Sequence, residues 1–347
     1  MLISSPYGLR PLTGGHIIDR AVRLYRSEFW SCVMIAAAIE IPLTLSRLVY
    51  RAPELDSYLN TDALIEAMVY GLLGMVAYMV VRLVAAAAMS QVVVLTIQGQ
   101  KVSFAAAYKR LLVRWWAIAL TVLALIPTTL LMVAWYFIPC IGSLSGLGLN
   151  AFYFGVLLPL SVPIVMIEQQ RGLAVLRRAW DLTRVHFWAS VGFTLYLLLF
   201  LFCVWAGPRI LVQIVFNSIF DNGTTNLYFY QFSLPLPGFQ GYLTPNDLVN
   251  MIFNILIWPV AMIALTLRYV DLRVRNEGLD LFLWADAQLP DVLRAEPEKV
   301  LAQTPPAPGG TWMSSVELVR FVGLTILVVG SPIVLSYGLI IFVQLIE

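Results

Sequence analysis

Charged side chains are scarce in this sequence. They make up 12% of the 347 residues, while hydrophobic residues make up 60% and the mean hydropathy is +0.83. A soluble domain has about one quarter charged residues, because it must cover its core with polar surface. The composition therefore excludes an ordinary soluble domain and predicts an integral membrane protein. The net charge of +2 gives no indication of a nucleic-acid partner.

Cysteine and histidine are almost as scarce, and this bears on catalysis. Cys32, Cys140 and Cys203 lie in or beside apolar runs at unrelated spacings, which favours small core residues over a disulfide framework or a metal site. The two histidines, His16 and His186, cannot be combined with a Ser or Cys nucleophile and an orienting residue into a catalytic group. The sequence also has no phosphate-binding glycine motif. We therefore predict that the chain is not an enzyme and takes no cofactor or metal.

An arginine-rich pattern with helical periodicity occurs three times. In residues 171–188, RGLAVLRRAWDLTRVHFW, apolar and charged side chains recur with the ~3.6-residue period of an amphipathic helix. Residues 14–30 match this pattern, with Arg20 at the place of Arg178. Residues 103–116, SFAAAYKRLLVRWW, are a looser third copy. Each copy leads directly into a long apolar run.

Seven apolar runs have the length of a membrane span, since about 20 helical residues cross about 30 Å of hydrocarbon. The first six predict three repeats, each an amphipathic interfacial helix followed by a transmembrane hairpin, at about 13–98, 102–168 and 171–280. The expected fold is therefore an all-α integral membrane protein with six spans in repeats and one more span. The predicted spans are roughly 29–49, 63–98, 115–138, 149–167, 187–220, 247–269 and 319–345.

The seventh span has no counterpart among the repeats. The sequence therefore divides into a six-helix membrane domain at 1–284, a flexible Pro-rich linker at 285–315 and a seventh transmembrane helix at 316–347. Small residues along that helix favour close packing in lipid. We expect it to dock on the six-helix domain, on a second copy or on another membrane protein. Deletion of residues 285–347 is expected to leave a folded core.

Glycine and proline predict two interruptions of the spans. Pro139, Gly142, Gly146 and Gly148 indicate a tight turn between the third and fourth spans, and the Gly-Pro pair at 207–208 indicates a break in the fifth. Residues 221–246, rich in aromatic residues, are expected to form an external loop at the membrane interface.

Basic residues predict the orientation. Four Lys or Arg residues occur in each of the segments 1–28, 99–114 and 169–186, and six occur in 268–320. The connections on the other side contain two in total. Under the positive-inside rule the N-terminus, the amphipathic helices and the linker are cytoplasmic, and the C-terminus is outside.

Three segments carry a resemblance to a known family: LRPLTGGHIIDRAVRLYRSEFW, IEQQRGLAVLRRAWDLTRVHFW and ALTLRYVDLRVRNEGLDL. They resemble the membrane domain associated with some bacterial glycerophosphoryl diester phosphodiesterases, a family that includes stand-alone six-helix proteins. The resemblance covers about residues 9–282 and implies a multi-pass protein of the bacterial inner membrane. It includes no catalytic domain, and metal-dependent phosphodiester cleavage needs carboxylates and histidines around an ion.

Two charged residues fall near the middle of predicted spans. Glu40 lies about 10 residues into the first span, and Arg82 lies at comparable depth in the second. Each alone costs ~2.5–3.5 kcal/mol on insertion scales, so both should face the protein interior or water. They form either a structural ion pair or part of a polar cavity for a solute. At the span ends, Glu168 and Asp271 are expected to bond the neighbouring amphipathic helices.

The basic residues of the amphipathic helices have two interpretations. The helices either lie in the interface plane and only set the angle between units, or their cations bind anionic lipid headgroups or an acidic segment of a partner at the cytoplasmic face. The candidate contacts are Arg20, Arg23, Arg26, Lys109, Arg110, Arg114, Arg177, Arg178 and Arg184.

Two classes of function remain. The first is a non-catalytic membrane protein that scaffolds or anchors a partner, or organises membrane lipid. The second is a transporter or channel for a small or lipid-like solute, with an interior site near Glu40 and Arg82. The scarcity of other central charges in the first six spans favours the first class.

Overall fold

The computed structural model describes residues 11–49, 61–98, 100, 103–136, 138, 141–219, 245–288, 301–302 and 314–346. Every regular element in these ranges is helical, so the predicted all-α class is confirmed. Nearly all of the predicted external loop and most of the predicted linker lie outside the described residues.

Twelve α-helices follow one another along the described chain. Two π-helical turns, Tyr153–Leu157 and Ile164–Glu168, join the sixth and seventh helices into one rod that ends at Glu168. The helices are α1 (Gly14–Ser27), α2 (Phe29–Val49), α3 (Thr61–Ile97), α4 (Phe104–Val113), α5 (Trp115–Tyr136), α6 (Ile141–Phe152), α7 (Leu158–Pro163), α8 (Leu173–Arg184), α9 (Phe187–Ile219), α10 (Pro245–Glu277), α11 (Leu279–Ala287) and α12 (Ser315–Ile346).

Membrane embedding is confirmed by the length and hydropathy of the helices. Among the described residues, five stretches are long and apolar enough to cross a bilayer, and a sixth is added if α1 and α2, which meet at 90°, count as one broken span. The five are Val80–Ile97, Trp115–Met132, Ser145–Glu168, Phe187–Pro208 and Leu248–Glu277.

A short helix stands immediately before α2, α5 and α9. The junctions are Glu28, Arg114 and the pair at 185–186. Ala21 of α1, Ala107 of α4 and Ala179 of α8 are each fully buried. The threefold repeat itself stays a prediction of the sequence.

The prediction of a turn before the fourth span is wrong for its three glycines, and its Pro139 lies outside the described residues. Gly142, Gly146 and Gly148 lie inside α6. A Cβ atom at Gly148 would clash with the main-chain oxygen of Phe321 on α12. This glycine therefore allows two helix backbones to approach closely, as small residues do in membrane proteins.

Two other boundaries differ from the prediction. The helix α9 continues through the Gly-Pro pair at 207–208, where a break was expected; membrane helices tolerate proline when neighbours satisfy the freed backbone groups. The helix α10 extends to Glu277, eight residues beyond the predicted end of the sixth span at Tyr269. Those eight residues carry charges that the protein buries, as described below.

The described chain divides into two compact units. One unit, here called unit A, takes residues 114–194 and 269–346, and the other, unit B, takes residues 11–113 and 195–268. Each unit has its own buried centre.

An aromatic cluster forms the centre of unit A. The ring of Phe152 stacks on Phe187 with 4.6 Å between centroids, and Phe321 of α12 lies 5.6–5.8 Å from Phe152, Phe187 and Trp180. Next to this cluster, the backbone N–H of Gly148 donates to the hydroxyl oxygen of Thr325 at 2.9 Å. The first half of the seventh span is therefore packed into unit A, on this chain's own α6.

The centre of unit B is the second half of α3. Its residues 85–95 are all buried, and α2 and α4 pack against it. The hydroxyl of Tyr108 on α4 donates to the main-chain oxygen of Ile35 on α2 at 3.4 Å. The short helix α4 is thus bonded to a span of its own unit.

Candidate functional site

The two charged residues predicted inside the spans meet in unit B. Arg82 on α3 contacts the Glu40 carboxylate on α2 through its Nη1 atom, and the two side chains are 16% and 3% exposed. The guanidinium carbon of Arg82 also lies 5.2 Å from the ring centroid of Trp258 on α10. A carboxylate and an aromatic face together compensate a cation that has left water.

Trp258 is a member of this site that the sequence did not indicate. Tryptophan in membrane proteins is expected at the two interfaces, and Trp258 instead lies within the Leu248–Glu277 span, next to Pro259. The one indication in the sequence was that this tryptophan lies inside a span and not at its end. Within unit B, the three residues tie α2, α3 and α10 together.

A second set of charges, which we call the buried charge cluster, lies in unit A. It comprises Glu168, Arg178, Tyr269, Arg273 and Glu277. Arg178 of α8 donates to both carboxylate oxygens of Glu168, at 2.7 and 2.9 Å, and also contacts the carboxylate of Glu277. The hydroxyl of Tyr269 donates to Glu168 at 2.8 Å. The expectation that Glu168 bonds a neighbouring amphipathic helix agrees with this geometry.

Arg273 closes the cluster and is itself 2% exposed. Its Nε atom lies 3.0 Å from Glu277 and 3.5 Å from Glu168. Its Nη1 atom donates to the main-chain oxygen of Leu301 at 2.5 Å. Leu301, in the predicted flexible linker, is also buried. Two carboxylates thus neutralise two guanidinium groups, and the linker is fixed to unit A at this residue.

The charge state of Arg178 follows from these contacts. Burial by itself lowers the pKa of the guanidinium, but the hydrogen bond and charge of Glu168, and then the charge of Glu277, raise that pKa above its ordinary value. Arg178 therefore stays charged. Both of its partners are carboxylates inside the protein, so the structure engages Arg178 there and not at an exposed surface.

The backbone before α8 explains how Glu168 and Arg178 meet. The rod through α6 and α7 ends at Glu168, and Gln169 and Gly172 both have a φ of 61°. At Gly172 this φ is combined with a ψ of −139°, a conformation essentially restricted to glycine. The N–H of Gly172 donates to Thr121 on α5 at 3.2 Å, which fixes the start of α8.

The spacing of Tyr269, Arg273 and Glu277 was the signal that the sequence offered for the rest of the cluster. Residues four apart share one face of a helix. The pattern was missed because the sixth span was ended at Tyr269. Asp271 was expected to bond a neighbouring amphipathic helix, and it bonds Arg275 on its own helix at 3.0 Å.

Most of the other predicted lipid contacts are engaged within the protein. Arg114 donates to the main-chain oxygen of Met166, and Arg110 donates to Gln98 and Gln100. Among the remaining candidates, Arg23 pairs with Asp19 at 2.7 Å and Arg184 lies 3.6 Å from Asp181. Arg20 and Arg177 are half-buried and also have partners.

Three exposed cations make no ion pair or hydrogen bond to another residue that the structure describes. They are Arg26 in the last turn of α1, Lys109 in α4, and Arg171, two residues before α8. Arg171 was not among the predicted contacts, because it precedes the residues of this segment that show the helical period. Each of the three short helices thus has one such cation on it or beside it.

Exposed tryptophans lie at the starts of the spans that follow the short helices. Each of them is at least 49% exposed. Tryptophan is enriched at membrane–water interfaces, where its ring contacts lipid and its N–H remains hydrated. These residues are Trp30 on α2, Trp115 and Trp116 on α5, and Trp188 on α9.

The fold and these sites define an all-helical, multi-pass membrane protein with compensated charges inside its spans. Among the residues that the structure describes, no group of three His, Cys, Asp or Glu side chains is placed to hold a metal ion. Comparison of the chain with protein-family models, with curated proteins and with solved structures finds no match. The resemblance to the phosphodiesterase-associated membrane domain stays a prediction.

Proposed function

We propose that this is a non-catalytic multi-pass protein of the bacterial inner membrane that organises anionic lipid at the cytoplasmic surface. The observation that carries the proposal is that each of the three short helices has an exposed cation on it or beside it, and that the span after it starts with an exposed tryptophan. Arg26 stands before Trp30, Lys109 before Trp116, and Arg171 before Trp188. The distribution of basic residues predicts that the N-terminus and the short helices are cytoplasmic.

Electrostatics sets the scale of such binding. A basic residue near an anionic membrane surface contributes about 1 kcal/mol, so the three exposed cations together contribute up to about 3 kcal/mol. That corresponds to roughly a hundredfold preference for anionic over zwitterionic lipid. The attraction falls off within a Debye length, so high salt should weaken it. Charges that are paired inside the protein add nothing to this preference.

The test is a comparison of bound lipid. The protein is reconstituted into vesicles of equal phosphatidylglycerol and phosphatidylcholine, extracted in mild detergent, and its bound lipids are quantified by mass spectrometry. Wild type should retain an excess of phosphatidylglycerol. The triple variant Arg26→Gln, Lys109→Gln, Arg171→Gln should lose most of that excess.

A matched control separates this effect from a general change of surface. The double variant Asp19→Asn, Arg23→Gln removes an exposed ion pair on α1 and leaves the net charge unchanged. It should retain the lipid preference of wild type. If the triple variant also keeps that preference, the three cations do not select anionic lipid and the proposal fails.

The second candidate function is transport of a small or lipid-like solute. The contact of Glu40, Arg82 and Trp258 inside the spans supports it, because intramembrane ionisable groups often mark solute pathways. Against it, the carboxylate and the guanidinium are engaged with each other. Uptake of solute by vesicles that contain the protein, abolished by Glu40→Gln, would favour this candidate over lipid organisation.

A further inference from the structure

The helix α11 presents apolar side chains that the described part of the protein does not cover. It begins after Gly278, whose φ of +65° turns the chain at the end of α10. Leu279 and Leu283, four residues apart, are each 2% exposed and attach the helix to the protein. The other side exposes Leu281 by 67%, Phe282 by 61% and Trp284 by 36%.

Hydrogen bonds in unit A fix the level, meaning the position along the direction of the spans, at which α11 begins. The side-chain amide of Asn276 donates to the main-chain oxygen of Leu182 at 2.8 Å, and Glu277 contacts Arg178. The end of α10 therefore lies against α8. Near the start of α12, Arg320 donates to the main-chain oxygen of Arg184 at 2.8 Å, so α12 begins at this level too.

We take this level as the boundary of the membrane, because two of the candidate spans begin or end at it. The span in α9 begins at Phe187, three residues after α8 ends, and the span in α10 ends at Glu277, two residues before α11 begins. A helix that starts there and exposes leucine, phenylalanine and tryptophan fits the layer between headgroups and acyl chains.

The charge of α11 distinguishes it from the other short helices. Its sequence, LDLFLWADA, contains Asp280 and Asp286 and no basic residue. Anionic headgroups would repel it, so electrostatic attraction cannot hold it at the surface. We infer that α11 is a fourth interfacial helix, which inserts Leu281, Phe282 and Trp284 into the bilayer independently of headgroup charge.

Fluorescence quenching tests this inference. An environment-sensitive dye is attached to a single cysteine at Leu281 or Phe282, in a background where Cys32, Cys140 and Cys203 are replaced. The protein is placed in nanodiscs of phosphatidylcholine or of phosphatidylglycerol. We expect blue-shifted emission, loss of fluorescence to a nitroxide on the lipid chain, and protection from iodide. The result should be the same in both lipids and at low and high salt.

Two references calibrate the measurement. A dye at Leu198, which is exposed in the span of α9, reports the lipid environment, and the dye coupled to free cysteine reports water. Iodide quenching equal to that of the free conjugate would overturn the inference. Nitroxide quenching seen only in phosphatidylglycerol would also overturn it, since insertion would then depend on headgroup charge.

The same labels separate this inference from the proposed lipid preference. The triple variant Arg26→Gln, Lys109→Gln, Arg171→Gln should leave quenching at Leu281 unchanged, because α11 is held by apolar side chains. A fall in nitroxide quenching in that variant would mean that the basic residues position α11, which contradicts independent insertion.

Discussion

A charged side chain inside a span is tolerated where a neighbour compensates for the water it has lost. Glu40 and Arg82 compensate each other, and Trp258 adds an aromatic face to the guanidinium. In unit A, Glu168 and Glu277 do the same for Arg178 and Arg273. Glu40 and Arg82 come from different helices, and neither carboxylate partner of Arg178 lies on α8, so these pairs fix the elements relative to each other within each unit.

Removal of one partner should show how much the Glu40–Arg82 pair contributes to the free energy of unfolding. We expect Glu40→Gln to lower the free energy of unfolding by about 3–5 kcal/mol, because it leaves a buried guanidinium without its carboxylate. The double variant Glu40→Gln, Arg82→Met should recover much of that loss. Thermal and denaturant unfolding in detergent measures both.

Two results would contradict this interpretation of the pair. A silent Glu40→Gln variant would mean that water, and not Glu40, stabilises the guanidinium, which favours the transport candidate. A double variant that is less stable than Glu40→Gln would mean that the stacking of Arg82 on Trp258 outweighs the cost of leaving the guanidinium without its carboxylate.

At the scale of a residue, the sequence predicts a charge in a span more readily than its partners. Glu40 and Arg82 stand out against apolar neighbours, so their pairing could be proposed. Arg178 looked like a surface cation because its carboxylate partners are 10 and 99 positions away in the chain. Periodicity reports the face of a helix, and it does not report what lies against that face.

Glycine shows the same problem at the scale of an element. A single sequence does not distinguish a glycine that ends a helix from one that admits a neighbouring backbone. Gly148 was assigned to a turn and instead lies inside α6, against α12. Helix α11 was missed for a related reason: nine residues at the end of a span are too short to show a period.

The contact at Gly148 gives a prediction for the packing of α6 on α12. We expect Gly148→Ala to destabilise the protein by about 1–3 kcal/mol, because the new methyl group forces the two backbones apart. The control is Gly192→Ala in α9, where a Cβ atom meets nothing within 4 Å. That variant should be neutral or stabilising by up to about 1 kcal/mol. Equal melting temperatures for the two variants in detergent would contradict the close approach.

At the scale of the whole molecule, composition predicted the fold class and the membrane location, and apolar runs predicted most of the spans. The grouping of the helices into two units could not be predicted from the sequence, because packing between distant segments leaves no local pattern. The clearest case is α12, which was expected to be a separable docking helix. Its Phe321 lies among Phe152, Trp180 and Phe187, so its first half completes the centre of unit A.

Truncation tests how far the seventh helix is separable. The sequence favours a folded core after deletion of residues 285–347, but the packing of Phe321 and Thr325 leads us to the opposite expectation. Deletion of 315–347 should expose the aromatic cluster, and the truncated protein should aggregate in mild detergent or melt well below the full chain. A monodisperse truncated protein with an unchanged melting temperature would show that α12 is an addition to a complete fold.

The orientation of the short helices is the premise of the proposed lipid function, and cysteine labelling in intact cells measures it directly. A membrane-impermeant thiol reagent should label a cysteine introduced at Ser143, near the start of α6, and should not label one at Ala174, which is exposed on α8. After the cells are permeabilised, both should react. Labelling of Ala174→Cys but not Ser143→Cys in intact cells would place the short helices outside and contradict lipid organisation at the cytoplasmic surface.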